Sequence, residues 1–503
     1  MNTTVYTQDK TKVLEGINKS ANAVCSTMGG EGKTVIISQG EHNRFTKDGV
    51  AVAKSMSFLD PEENIGAKIV ISAAEKTVAM AGDGTTLTTK LLQGFVNAIH
   101  KNPERYLKNL NETFYLLTSG RDFAIDELRK NSAKIEDSSQ IYKLAATAAN
   151  SEEIGKLFKE IFDTTGDFDT KITLEKSEFS DKTYFDITKG LTFDLGYAHP
   201  SFMTNKDTEQ AIYENAYVHV TKDPIMSLTP EIEALMNTSM KEDIPLVIIA
   251  PKYSDAFMRI ATMNKVNQGA RFLLLRLPGF GNSMEKNVED INAFLDADGC
   301  VEKVVADPVS FTLFNSDTPF VKPRVEQLTK LIEHSIDKFE AMDMEKRIHN
   351  LKGTAVIIYA GGVTPEACDE EFDRIEDAIG SVKTALTGEG YSLGAGIAMF
   401  NIYQKHSKEL DPIFEVLTLP AKQILHNANM DISLAERKSY SEGVNVKRKT
   451  SEFVYLLDEG IIDSTEVLIQ ALRNAISTAI LFVNSSYILH NENPKSDTKP
   501  FNF

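Results

Sequence analysis

The sequence predicts a multidomain chain of mixed α and α/β class, with a central α/β unit inserted into a helical one. The length of 503 residues exceeds what a single hydrophobic core usually supports. Apolar periodicity runs helical, mixed, α/β, mixed and helical again, and this palindromic order implies nested domains. In the middle, "PLVIIA" (245–250) and "RFLLLRLPGFG" (271–281) are unbroken apolar runs closed by turn residues, as suits strands covered on both faces.

The elements follow in order. In "PEENIGAKIVISAAEKTVAMAG", Ile65, Ile69, Ala73 and Ala74 recur at helical spacing; past the glycines Leu87, Leu91, Phe95 and Ile99 do the same. Two helices meeting at a Gly-Asp-Gly turn are expected there, within a mostly helical first 130 residues. "TKITLEKS" and "TYFDITKG" alternate and predict strands. A long charged helical segment is expected from about Lys322 to Leu351, then the strand "GTAVIIYAGG" (353–362). From "DEEFDRIEDAIGSVKTAL" onward the pattern is helical almost to the end, where the polar "NENPKSDTKPFNF" is expected to fray.

Composition narrows the function. Hydrophobic residues at 42% and charged residues at 25% are ordinary for a soluble globular protein. A net charge of -18 with no basic stripe argues against a nucleic-acid partner, because phosphate backbones require clustered Lys and Arg. The cysteines Cys25, Cys300 and Cys368 are scattered and odd in number, which predicts a reducing compartment without a zinc site or disulfide frame. The N-terminus has no apolar h-region and no apolar run approaches the roughly 18 residues of a membrane span, so a cytosolic location and no membrane partner are expected.

The stretch "AGDGTTLTTKLL" (81–92) carries the strongest chemical signal. The first N–H groups of a helix lack internal partners and sit at its positive pole, so they suit a phosphate. Glycines at 82 and 84 permit close backbone approach, Thr85 and Thr86 add hydroxyls, and Asp83 can hold Mg²⁺. The alternative is plain capping by Asp83 or Thr85. "TMGGEGKT" (27–34) imitates a phosphate-binding P-loop but has Thr27 where glycine is required, and "TGEGYSLGAG" (387–396) misses the dinucleotide spacing at Leu393.

These segments resemble the Group I chaperonins, the GroEL family. "STMGGEGKTVII", "FTKDGVAVAKSM", "NIGAKIV", "AGDGTT", "AANSEEIGKL", "GLTFDLGYAHPSF", "LPGFGNSMEKNVEDI", "RIEDAIGSVKTAL", "GAGIAM" and "LLDEGIIDSTEVLIQAL" occur in the family's order over nearly the whole chain. The resemblance implies a helical equatorial ATPase domain (1–130 and 389–503), a small α/β intermediate domain (131–188 and 354–388) and an inserted α/β apical domain (189–353). It also implies seven-membered rings, single or double, that enclose non-native client proteins and fold them using ATP, Mg²⁺ and K⁺, with a lid co-chaperonin as a possible partner.

Carried over by position, Asp83 is the expected Mg²⁺ ligand, and Gly84, Thr85, Thr86 and Leu87 surround the phosphates. Thr27, Met28, Gly29, Gly30 and Lys47 form the opposite wall, with K⁺ near the carbonyls of Thr27 and Lys47. Ala395, Asn445, Val446 and Asp463 hold base and ribose. Asp377 positions the attacking water and Asp48 assists; read without the family, the first is a helix carboxylate and the second a turn residue. The expected client-binding residues are Tyr197, Ser201, Phe202, Leu235, Met236, Met258 and Met263, although amphipathic stripes more commonly form core. Gly190, Gly353 and Gly390 match hinges. The chain departs from the family in having Gly30 in place of proline, Ala395 inside a reduced glycine triplet, Lys134 near the missing lower-hinge proline, an altered 431–450 loop, and a tail without Gly-Gly-Met repeats. The competing function is a holdase or assembly scaffold that keeps the ring without productive cycling; a dinucleotide-dependent oxidoreductase is a distant third.

Overall fold

The computed structural model describes residues 4–39, 42–165, 171–177, 180–206, 208–316, 318–334, 338–436 and 439–491. The chain forms two compact units, the first from the stretches Met1–Phe168, Leu174–Tyr184 and Tyr359–Pro500, the second mainly from Phe185–Ile358. The expected fraying of the tail falls almost wholly outside the described residues.

The first unit is built around the helices Thr11–Cys25, Pro61–Ala81, Thr85–Lys101, Leu110–Lys130 and Thr465–Asn484. Leu91, Phe95, Leu117, Phe414, Leu472 and Ile476 are central to its core, with Phe95 and Phe414 in edge-to-face contact at 5.6 Å between centroids. The helix Pro61–Ala81 starts with Asp60 accepting from the N–H groups of Glu62 and Glu63 and a proline at its first turn. Helix Thr465–Asn484 corrects one sequence expectation: it is long and apolar enough to cross a membrane, but most of its apolar window is buried. Its wide apolar surface answers to burial in this core.

Sequence patterning also missed a hairpin. Val35–Gln39 pairs antiparallel with His42–Thr46, with Ile36 opposite Phe45 and Ile37 opposite Arg44, inside the region read as helical. The hairpin leads directly into Lys47 and Asp48. The Gly-Asp-Gly turn stands as expected between the helices Pro61–Ala81 and Thr85–Lys101.

In the second unit, apart from a few residues at strand ends, the strands follow the order Thr354–Ala360, Tyr184–Phe193, Phe311–Phe314, Cys300–Ala306, Ala211–Val220, Leu246–Ala250 and Phe272–Arg276. The last three are parallel to one another, and every residue of Leu246–Ala250 is buried, as its unbroken apolar run implies. The long charged segment after Phe320 is two helices, Val321–His334 and Lys338–Lys352. Beside them Asp290 is buried between two arginines, with Arg324 Nε at 3.0 Å and Arg347 Nε at 2.7 Å.

Candidate functional site

A cavity of about 370 Å³ lies within the first unit, and the expected nucleotide residues converge on it. Its wall includes Thr27, Met28, Gly29, Gly30, Lys47, Asp48, Asp83, Gly84, Thr85, Thr86, Leu87, Asp377, Ala395, Asn445, Val446 and Asp463. These positions come from widely separated parts of the chain.

The Gly82–Gly84 turn forms one end. Gly82 closes the Pro61–Ala81 helix at φ 68°, and Gly84 opens the next helix at φ 98°. No side chain caps Thr85–Lys101, so its first N–H groups are left to a ligand. This outcome differs from the capping alternative. Asp83 instead accepts from Gly84 N and, at 2.9 Å, from Ser381 Oγ. Asp48 does cap a helix: its two oxygens accept from Val50 N at 2.9 Å and Ala51 N at 2.7 Å. It combines the turn role with a place on the cavity wall.

The first loop is held from behind. Asn427 Nδ2 donates to the carbonyls of Cys25 and Met28, both at 2.9 Å, and Thr27 Oγ1 donates to Val24 O. Asn150 Nδ2 donates to Gly30 O at 3.2 Å. Ala395 takes φ 57° just before Gly396 opens the Ile397–His406 helix without a side-chain cap. Asn445 donates its amide to Glu459 at 2.8 Å and accepts from Lys447 N, so its polar atoms brace the loop. Asp463 lies in the short pairing of Tyr391–Leu393 with Ile462–Ser464.

Acidic groups dominate the electrostatics. Burial pushes the Asp83 carboxyl up against the pull of Ser381 and Gly84, and Asp48 adds to the rise. Asp377 is raised well above the ordinary carboxylate range, first by burial and then by Asp83 and Asp48. Asp463 is pushed up to about 7 by burial and Asp83. Carboxylates that raise one another in this way suit a hard divalent cation, whose charge would relieve the repulsion. Among the described residues no group of three or more His, Cys, Asp or Glu is arranged as a metal cage. A cation there would therefore draw its remaining ligands from phosphate and water, the usual habit of Mg²⁺.

Sequence reading missed part of the wall. Tyr142, Lys143, Ala146, Thr147 and Asn150 line it from the segment around helix Ser138–Ala148, and Glu370, Asp373, Arg374 and Ser381 from helix Pro365–Thr387. The second group had a legible signal, since 370, 373, 377 and 381 fall on one helical face.

The expected client-binding residues divide by exposure. Tyr197, Phe202 and Met236 are core, Tyr197 donating to Glu209 O at 3.2 Å and Phe202 lying beneath Lys265. This differs from their expected role on the surface, because all three side chains pack into the core cluster of the second unit. Leu235 and Met258 are partly buried against that core. Ser201 Oγ lies 3.1 Å from Thr262 Oγ1, and Met263 is 60% exposed. Ile260 and Val266 extend the accessible face. Gly190 and Gly353 have negative φ and share a backbone hydrogen bond of 3.3 Å, whereas Gly390 takes φ 80°.

Comparison with known proteins shows what the chain is similar to. The model of the TCP-1/cpn60 chaperonin family matches residues 21–247. Among solved structures, the chain is similar to the chaperonin gp146 from the bacteriophage EL 2 (Pseudomonas aeruginosa), crystallised in the presence of ATP-BeFx. One crystal form matches at 20% identity with a TM-score of 0.69, over 97% of this chain and 99% of that one. A second form matches at 20% identity with a TM-score of 0.64 over the same shares. The fold is the chaperonin fold, and residues 21–247 are similar to the TCP-1/cpn60 chaperonin family.

Proposed function

We propose that this chain is a chaperonin and an ATPase, whose cycle drives the folding of non-native proteins inside a ring. The convergence of the candidate nucleotide residues, drawn from distant parts of the chain, on one cavity is the observation that carries the reading. The uncapped start of Thr85–Lys101 supplies N–H donors for phosphate, and Thr85 and Thr86 supply hydroxyls. Asp83 would hold Mg²⁺, which when bound neutralises phosphate charge; K⁺ would sit near Thr27 and Lys47. Asp377 orients a water and takes its proton, while Asp48 keeps the Lys47–Gly49 turn in place. The crystallisation of gp146 in the presence of ATP-BeFx supports nucleotide binding by this chain.

Three domains, an equatorial, an intermediate and an apical one, with hinges at Gly190, Gly353 and Gly390, are part of the same proposal. Client binding would use the accessible face at Met263, with Ile260 and Val266, more than the buried Tyr197, Phe202 and Met236. A cytoplasmic location and a lid partner complete the reading.

The test is Asp377→Ala. Nucleotide affinity should persist while hydrolysis slows severely; an unchanged turnover rate would sink the catalytic assignment. Asp83→Ala should weaken Mg-dependent binding. Native mass with and without Mg-ATP tests the ring, and ATP-dependent refolding of a denatured client, set against mere suppression of its aggregation, separates the folding machine from a holdase.

A further inference from the structure

The helix Pro365–Thr387 brings Asp377 to the cavity, and one polar stripe docks it there. Glu370 accepts from Lys47 N at 3.1 Å, and Arg374 braces Glu370 through Nε at 3.1 Å and through its terminal nitrogen at 2.9 Å. Asp373 accepts from Arg44 at 2.7 Å. Ser381 donates to Asp83, and Thr384 Oγ1 lies 2.9 Å from Ser464 Oγ. Positions 370, 373, 377, 381 and 384 recur every three or four residues, so Asp377 sits in mid-stripe with anchors on either side.

Arg44 is the cation of this stripe that comes from outside the helix. It lies on the strand His42–Thr46, which runs straight into Lys47 and Asp48. The ion pair therefore ties the segment carrying Asp48 to the helix carrying Asp377. Arg44 is not part of the cavity wall, whereas Asp373 is. The side chains of Arg44 and Asp373 are 31% and 19% exposed, so solvent screens the pair only in part. Burial and then Asp48 raise the Asp373 carboxyl while the Arg44 guanidinium pulls it down, and burial, Asp83, Asp48 and Asp373 all raise that of Asp377.

We propose that Arg44 is a positioning residue for ATP hydrolysis, pairing with Asp373 to set the seat of helix Pro365–Thr387 and hence where Asp377 reaches into the cavity. This rests on the ATPase reading above. Without the pair, neighbouring carboxylates repel the helix and Asp377 loses its register, while the nucleotide contacts on the opposite wall remain.

The experiment compares wild type with Arg44→Ala, Arg44→Lys, Asp373→Asn and the charge-swapped double variant Arg44→Asp with Asp373→Arg. It reads kcat for Mg-ATP, the Kd of ADP, and amide hydrogen exchange in the 365–387 segment. Arg44→Ala and Asp373→Asn should lower kcat about tenfold, equivalent to about 1.4 kcal/mol of activation energy. The Kd should stay unchanged and exchange in the helix should accelerate. Arg44→Lys and the charge swap should recover most of the rate, a rescue that loss of general stability would not give. Variants that hydrolyse at the wild-type rate with unchanged exchange overturn the proposal, as does a Kd that weakens in step with kcat. Should Arg44→Ala fail to fold, Asp373→Asn and Arg44→Lys decide. A wild-type chain that neither binds nor hydrolyses ATP instead overturns the ATPase reading, and this role with it.

Discussion

Gly380→Ala is the smallest change that tests how the helix seat controls the cavity. A Cβ on Gly380 would stand 2.5 Å from the carbonyl oxygen of Gly82 and 2.6 Å from its carbonyl carbon, where ordinary contact begins at 3.4 Å. Both partners are backbone, so no rotamer relieves the clash. Helix and turn must part by about 0.9 Å. Asp377 lies three residues earlier on the same helix, and Ser381, the next residue, holds Asp83. Misplacing a reacting group by about 1 Å costs on the order of 100-fold in rate. Alanine also favours the isolated helix by about 1 kcal/mol, which opposes the lost docking in the stability ledger and leaves the kinetic effect distinct from unfolding. The assay is steady-state Mg-ATP hydrolysis, measured beside nucleotide Kd and Tm. A kcat lowered about 100-fold, well beyond any weakening of Kd, is expected. Hydrolysis at the wild-type rate would refute the claim that this backbone contact sets the position of Asp377.

Ala395→Gly should stabilise the protein by roughly 0.5–1 kcal/mol, since an L side chain at φ 57° costs about 1–2 kcal/mol and glycine returns part of that gain as unfolded-state entropy; chemical denaturation checks it. Asp290→Ala should destabilise the second unit by about 3–5 kcal/mol because it takes the buried carboxylate from Arg347 and leaves Arg324 only the more exposed Glu289; a small shift in its unfolding midpoint would show that water already satisfies the arginines. Burial, then Asp48, pushes the Asp373 carboxyl up to about 6 although Arg44 pulls it down. A carboxyl raised on folding favours the folded state when protonated, so its contribution is complete below about pH 4 and is lost as pH rises through about 6. Between about pH 5 and about pH 7 the Tm of the nucleotide-free wild type should therefore fall more steeply than that of Asp373→Asn, and parallel curves would reject the assignment.

Local signals were legible where one residue type answers one backbone demand. Gly82 and Gly84 lie at the turn between two helices that the sequence predicts, and the apolar runs at 246–250 and 272–276 are parallel strands. The hairpin at 35–46 escaped notice because two strands of five residues each are too short for alternation to stand out against helical surroundings.

Sequence by itself determined the chain's class, the order of its segments and the residue types available to bind a phosphate and a hard cation, because glycine, aspartate and helix-start signals act over a few residues. Tertiary structure alone decided which of those residues meet. It drew Asp48, Asp83, Asp377 and Asp463 to one cavity and placed Arg44 against Asp373 across more than three hundred residues of chain. It also turned Tyr197, Phe202 and Met236 inward while leaving Met263 in solvent. An amphipathic pattern specifies that a face is apolar, but which atoms of that face lose contact with water depends on the surface packed against it.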